Sequence, residues 1–171
     1  KGKWGSTEMQ TGSFRVEEYR LPVFKGSVTP DQPAPIVQPG KLGAQVQLSY
    51  LSGGAAAKEA VKVSAAIQSH AVSFEDYDTF SFGRPYLSRK LPGAGNDGED
   101  YSNDRRVIAD KLALTLDANG VGKAEIEQVP SSVAPQDLLL EASFSDPNGE
   151  VQTISNHSVI WPASVVAGIK A

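Results

Sequence analysis

The chain has 171 residues, 16 Lys and Arg against 20 Asp and Glu, a formal charge of −4 and no cysteine. That length suffices for one domain with a real apolar core and no covalent staples. The near-balanced charge gives no basic footprint for nucleic acid. The missing cysteines exclude a disulfide, a thiolate zinc site, a Cys nucleophile and an internal thioester.

No apolar run reaches the roughly 20 residues of a membrane span. Lys1-Gly2-Lys3-Trp4 leads into polar residues rather than a signal-peptide core, and there is no initiator Met. An excised piece of something longer is expected, or a processed chain. The 16 Gly and 11 Pro suit an all-β chain with many turns.

The first pattern is GSFRVEEYRLPVFKGSVTP, residues 12–30. Phe14 and Val16 alternate with Arg15 and Glu17, the period of a half-buried strand. Pro22 has no N–H to donate and holds Leu21 extended, so the ladder breaks there. A fresh strand follows through Val23, Phe24, Gly26 and Val28. Residues 43–51 put Ala44, Val46, Leu48 and Tyr50 on one face. After a connection at Ser52-Gly53-Gly54, residues 60–67 put Val61, Val63, Ala65 and Ile67 inward.

The rhythm stops between Phe74 and Asp104. EDYDTFSFGRPY (75–86) combines Tyr77, Phe80, Phe82 and Tyr86 with Asp76, Asp78 and Arg84. A strand packed on the rest is favoured, since aromatic residues suit strands; a ligand-binding loop is the alternative. Gly, Asn and Asp then dominate, and Gly93 to Asp104 is expected to be a mobile loop open to nicking. Asp97, Glu99, Asp100 and Asp104 are hard oxygen ligands, but their spacing fits no defined Ca²⁺ loop.

Alternation resumes at 111–116 through Leu112, Leu114 and Leu116, and DANG (117–120) is a turn of the Asn-Gly kind. It superficially matches an EF-hand start, but Val121 and Gln128 stand where ligands belong. Residues 122–129 direct Ala124, Ile126 and Val129 inward. Residues 130–138 allow at most about one helical turn between Pro130 and Pro135. Residues 137–144 direct Leu138, Leu140, Ala142 and Phe144 inward. DPNG (146–149) has Pro147 where a type I turn favours it, and 151–161 close the meander.

His70 and His157 are the only histidines. A Ser–His pair needs one of them beside an acid and a nucleophile, and no G-x-S-x-G elbow exists. His157, between Asn156 and Ser158, reads as a surface or partly buried strand position. Glu17 and Glu18 are neighbours on a strand and point to opposite faces, so they do not share a substrate. Short strands at near-regular spacing indicate a β-sandwich.

Residues 14–28, FRVEEYRLPVFKGSV, resemble the junction between successive macroglobulin-like domains of the α2-macroglobulin family, with Phe14, Val16, Glu18, Tyr19, Pro22, Phe24 and Val28 in the matching places. YLSGGAAAKEAVKVSAAI (50–67) resembles the hairpin that follows, and LTLDANGVGKAEI (114–126) a later one with its D-x-x-G turn. YLSGG and the end WPASVVAGIK look most like the bacterial branch.

The resemblance implies a seven-stranded antiparallel β-sandwich of immunoglobulin or fibronectin-III type across 21–171, its strands done by about 165, with an insertion at about 74–106. Residues 1–20 would be a stub or last strand of a preceding domain. It further implies a structural scaffold domain of a broad-spectrum protease-trapping inhibitor, not an enzyme, with no catalytic residue, cofactor or metal. Its partners would be neighbouring macroglobulin-like domains and, through the full-length protein, target proteases. Nucleic acid and direct membrane insertion are not expected. The location implied is the periplasm, with a lipid-anchored parent. A stand-alone immunoglobulin-like adhesion or ligand-binding module is the alternative.

Overall fold

The computed structural model describes residues 23–82 and 105–170. The expected stub 1–20, with Phe14, Val16, Glu17 and Glu18, lies outside them, as do Arg84, Tyr86 and the 93–104 loop. The described residues form strands β1 (Phe24–Pro30), β2 (Ile36–Val37), β3 (Leu42–Tyr50), β4 (Ala60–Ser69) and β5 (Phe80–Ser81). Then come β6 (Arg106–Thr115), β7 (Val121–Ile126), β8 (Gln136–Ser145), β9 (Val151–Trp161) and β10 (Ile169–Lys170).

Strands β1-β3-β7 make one antiparallel sheet, and β2-β9-β8-β4-β6 make the other. In the larger sheet Val61, Val63, Ala65 and Ile67 lie opposite Phe144, Ala142, Leu140 and Leu138. A small side chain lies beside a larger one at Ala65–Leu140 and Val63–Ala142, so small and large residues alternate across the layer. Phe24, Val28, Ala44, Val46, Leu48, Ala124 and Ile126 of the smaller sheet join the same apolar cluster. Burying one Val or Leu stabilises by about 1.5–3 kcal/mol. The exposed pairs Lys41–Glu127 and Arg105–Glu141 are screened by solvent and contribute little. The cluster between the sheets therefore holds the fold.

The two Asp-x-Asn-Gly turns are built alike. Asp117 Oδ1 accepts from the N–H groups of Asn119 and Val121 at 2.8 and 2.9 Å. Asp146 Oδ1 accepts from Asn148 and Glu150 at the same distances. Gly120 and Gly149 sit at φ +74° and +86°, the left-handed position that ends a tight turn. The second joins the paired strands β8 and β9, whereas the first carries the chain from β6 in one sheet to β7 in the other, so neither 50–67 nor 114–126 forms the expected hairpin. The Asn-Gly signal thus marks a turn, but the Asp side chain closes it.

The structure departs from the sequence pattern in several places. The sheets are not wholly antiparallel: β2 pairs parallel to β9, Ile36 with Ile160 and Val37 with Trp161. Pro33 and Pro35 lack N–H groups, so this crossing segment pairs over only two residues.

Strand β6 starts five residues before the 111–116 run. Lys111 has φ +49°, and its N–H bonds Ser64 Oγ at 3.0 Å within a bulge. The bulge spaces the inward residues Ala109 and Leu112 three apart, which hides the strand from a period-2 search. Residues 130–135 form no helical turn. The chain after Trp161 ends in β10, paired to β5 in a two-stranded ribbon.

Candidate functional site

The aromatic run 74–82 does not become a strand packed on the sandwich. It forms a 3₁₀ turn at Glu75–Tyr77, then the two-residue strand β5. Alternation explains this. Phe74, Asp76, Asp78 and Phe80 would share one face and Glu75, Tyr77 and Thr79 the other, and neither face is apolar enough to bury. Not one residue from 71 to 82 is buried.

The rings instead hold one another. Phe74 meets Phe82 at 4.7 Å between centroids and 79°, and Tyr77 meets Phe80 at 5.6 Å and 77°. Tyr77 also meets Phe82 edge-on at 6.1 Å. These are the edge-to-face arrangements that ring quadrupoles favour. With Trp161, Pro35 and the 163–168 segment, the four rings line an open, mainly apolar cleft of about 500 Å³. Lys170 places its Nζ 5.9 Å from the centroid of Phe80. Glu75, Asp76 and Asp78 stand exposed on and beside the 3₁₀ turn.

No family model and no curated protein matches the sequence. Solved structures do match. Native Escherichia coli α2-macroglobulin aligns with TM-score 0.65 and 22% identity, over 92% of this chain and 9% of that one. Salmonella α2-macroglobulin reacted with methylamine gives TM-score 0.65 and 22% identity, over 90% and 9%. The trypsin-activated E. coli protein gives 0.63 and 21%, over 87% and 9%. The chain has the fold of a domain of bacterial α2-macroglobulins. It spans about a tenth of the length of the chains it matches.

Within this macroglobulin-like fold the two histidines lie apart in role. His70 ends the ladder of β4 with its N–H on Pro135 O. Its Nδ1 is 2.7 Å from Asp137 Oδ1, and its ring meets Trp161 edge-on at 6.1 Å. An acid beside a histidine is half of a triad, but the ring's other neighbour is an indole rather than a hydroxyl. The pair ties the end of β4 to β8 and braces Trp161 in the cleft. The 2.7 Å contact was not legible from spacing, because 67 residues separate the partners. His157 is exposed on β9 opposite Leu139.

The remaining charge pairs are structural. Lys123 at 2.8 Å holds the Asp31 carboxyl below its ordinary range, and the Gly43 N–H at 2.9 Å adds to this. Asp31 in turn raises Lys123. Glu127 raises Lys41. The N–H groups of Val121 and Asn119 lower Asp117, as suits a turn-closing carboxylate. Asp97, Glu99, Asp100 and Asp104 lie outside the described residues. Among the described residues no group of three or more His, Asp or Glu is placed to hold a metal ion. No helix of the described residues is long and apolar enough to cross a membrane.

Proposed function

We propose that this chain is a structural scaffold domain of a bacterial α2-macroglobulin, a protease-trapping inhibitor. The observation that carries the proposal is the extent of the match: 92% of the chain falls on a 9% slice of the E. coli protein. The likeness is similar for the native and the trypsin-activated forms, TM-scores 0.65 and 0.63. A domain that keeps its shape through activation suits a frame that moves as a rigid body.

In this reading the long strands β1, β3, β4, β6, β7, β8 and β9 are the seven strands of a macroglobulin-like sandwich. Residues 1–20 belong to the preceding domain, and about 74–106 to an insertion. Neighbouring domains of the same chain are its direct partners. It meets proteases only through the full-length protein, in the periplasm of a lipid-anchored parent, and it catalyses nothing. The aromatic cleft favours a second reading, a stand-alone immunoglobulin-like ligand-binding module.

One observation separates them, and a second tests the scaffold reading by itself. The scaffold reading expects a parent gene encoding on the order of ten or more domains of this size, with a lipoprotein signal. A gene that stops near residue 171 overturns it. The isolated chain, in excess over trypsin or elastase, is expected to leave cleavage of a large protein substrate unchanged. Stoichiometric inhibition would show an inhibitory loop that acts without a bait or cage.

A further inference from the structure

We infer that the aromatic cleft binds an extended cationic peptide segment of another protein, seating a Lys or Arg side chain against its ring faces. The segment 74–82 presents four aromatic rings, with Phe74, Tyr77 and Phe80 at 38%, 52% and 36% exposure. It adds nothing to the buried core. Exposed rings that serve no core are there to be touched. Because they already brace one another edge-to-face, a ligand meets preformed walls and orders little on binding.

Charge selects the ligand. The face of an aromatic ring is negative and attracts cations within about 6 Å of its centroid. Phe80 already carries one, the Lys170 ammonium at 5.9 Å. Glu75, Asp76 and Asp78 add three carboxylates around Tyr77, and no cation among the described residues pairs with them. An anionic ligand, nucleic acid included, meets repulsion there, whereas a cationic one gains from rings and carboxylates together.

Size and backbone select a peptide. About 500 Å³ admits a few side chains rather than a folded surface. Among the described residues strands β5 and β10 pair only with each other, so within that set each offers a second edge whose N–H and C=O groups suit an extended chain beside the cleft.

Trp161 lines the cleft and reports on it directly. With Trp4 replaced by Phe, it is the sole indole. The probe is acetyl-Pro-Lys-Pro-Arg-Pro-amide, with its Pro-Glu-Pro-Glu-Pro counterpart as control. The cationic peptide is expected to change Trp161 emission saturably. Binding should weaken about ten-fold or more for the acidic peptide, and likewise for Tyr77→Ala or the pair Asp76→Lys and Asp78→Lys. Lys170→Met, which frees the face of Phe80, should tighten it a few-fold. Tyr77 lies outside the core, so an unchanged urea midpoint verifies that Tyr77→Ala is folded; if it is not, the two Lys substitutions decide. No saturable change with the cationic peptide, equal affinity for both peptides, or affinity indifferent to all these substitutions would each overturn the assignment.

Discussion

Gly26 lies between Phe24 and Val28 on β1, exposed itself but directly opposite the buried Leu48. A methyl group on its Cα would run into Leu48 Cδ2 and stand 3.0 Å from both Gln47 O and Ile154 Cδ1. Leu48 has no exposed surface to retreat into, and Gln47 O belongs to the main chain. Ile154 is on β9, so this is where the smaller sheet closes on the larger.

Gly→Ala in an open strand stabilises by about 0.5–1 kcal/mol. Overpacking a filled core costs about 1–3 kcal/mol. The steric term wins, and Gly26→Ala should destabilise by about 1–2 kcal/mol net, lowering Tm by roughly 2–8 °C at this domain size. Urea and thermal unfolding by circular dichroism measure it. Ile154→Val removes the Cδ1 atom, so a double-mutant cycle should show Gly26→Ala costing at least about 0.5 kcal/mol less in that background. A Gly26→Ala variant as stable as the parent, or strict additivity with Ile154→Val, would refute the close approach of β1 to β9.

Phe24, 7% exposed, meets Tyr50 at 4.9 Å and Phe144 edge-on at 5.4 Å, so Phe24→Ala should cost about 3–5 kcal/mol in urea unfolding. Tyr77→Ala, half-exposed and outside the core, should cost under about 1 kcal/mol; equal losses would mean that the 74–82 excursion is part of the core. Asp31 is held below its ordinary range, chiefly by Lys123. Its contribution is complete above the unfolded Asp value of about 3.9 and is lost as pH falls through the lower folded value. The Tm gap between the parent and Asp31→Asn should therefore be constant between about pH 5 and 9 and close below about pH 4. A gap that widens in acid would show that the Lys123 pair is not what lowers Asp31.

The inward set of the central strands was legible because each has one buried face and strict alternation. Val61 to Ile67 and Leu138 to Phe144 declare themselves, since slipping either strand by one residue would expose every apolar side chain it has. The Asp-x-Asn-Gly turns were legible for a local reason as well. Asp, Asn and Gly each satisfy or permit a particular backbone geometry within five residues.

The candidate site was legible only as composition. Residues 74–82 announce aromatic rings among carboxylates, but their use depends on Trp161 and the 163–168 segment, about eighty residues later.

What the sequence determined by itself is therefore what local physics decides: all-β class, strand faces, turn positions, and a chain without thiol chemistry or a basic surface. The tertiary structure decided the rest. It laid β2 parallel on β9, because the Pro-rich crossing from one sheet to the other has no pattern of its own. It put the bulge at Lys111, where Ser64 from another strand supplies the acceptor. It also folded residues 169–170 back onto 80–81, turning an unburiable aromatic run into the wall of a cleft. Each of these is a pairing between segments far apart in the chain. Such a pairing's free energy lies in the contact itself, and neither partner's sequence carries it alone.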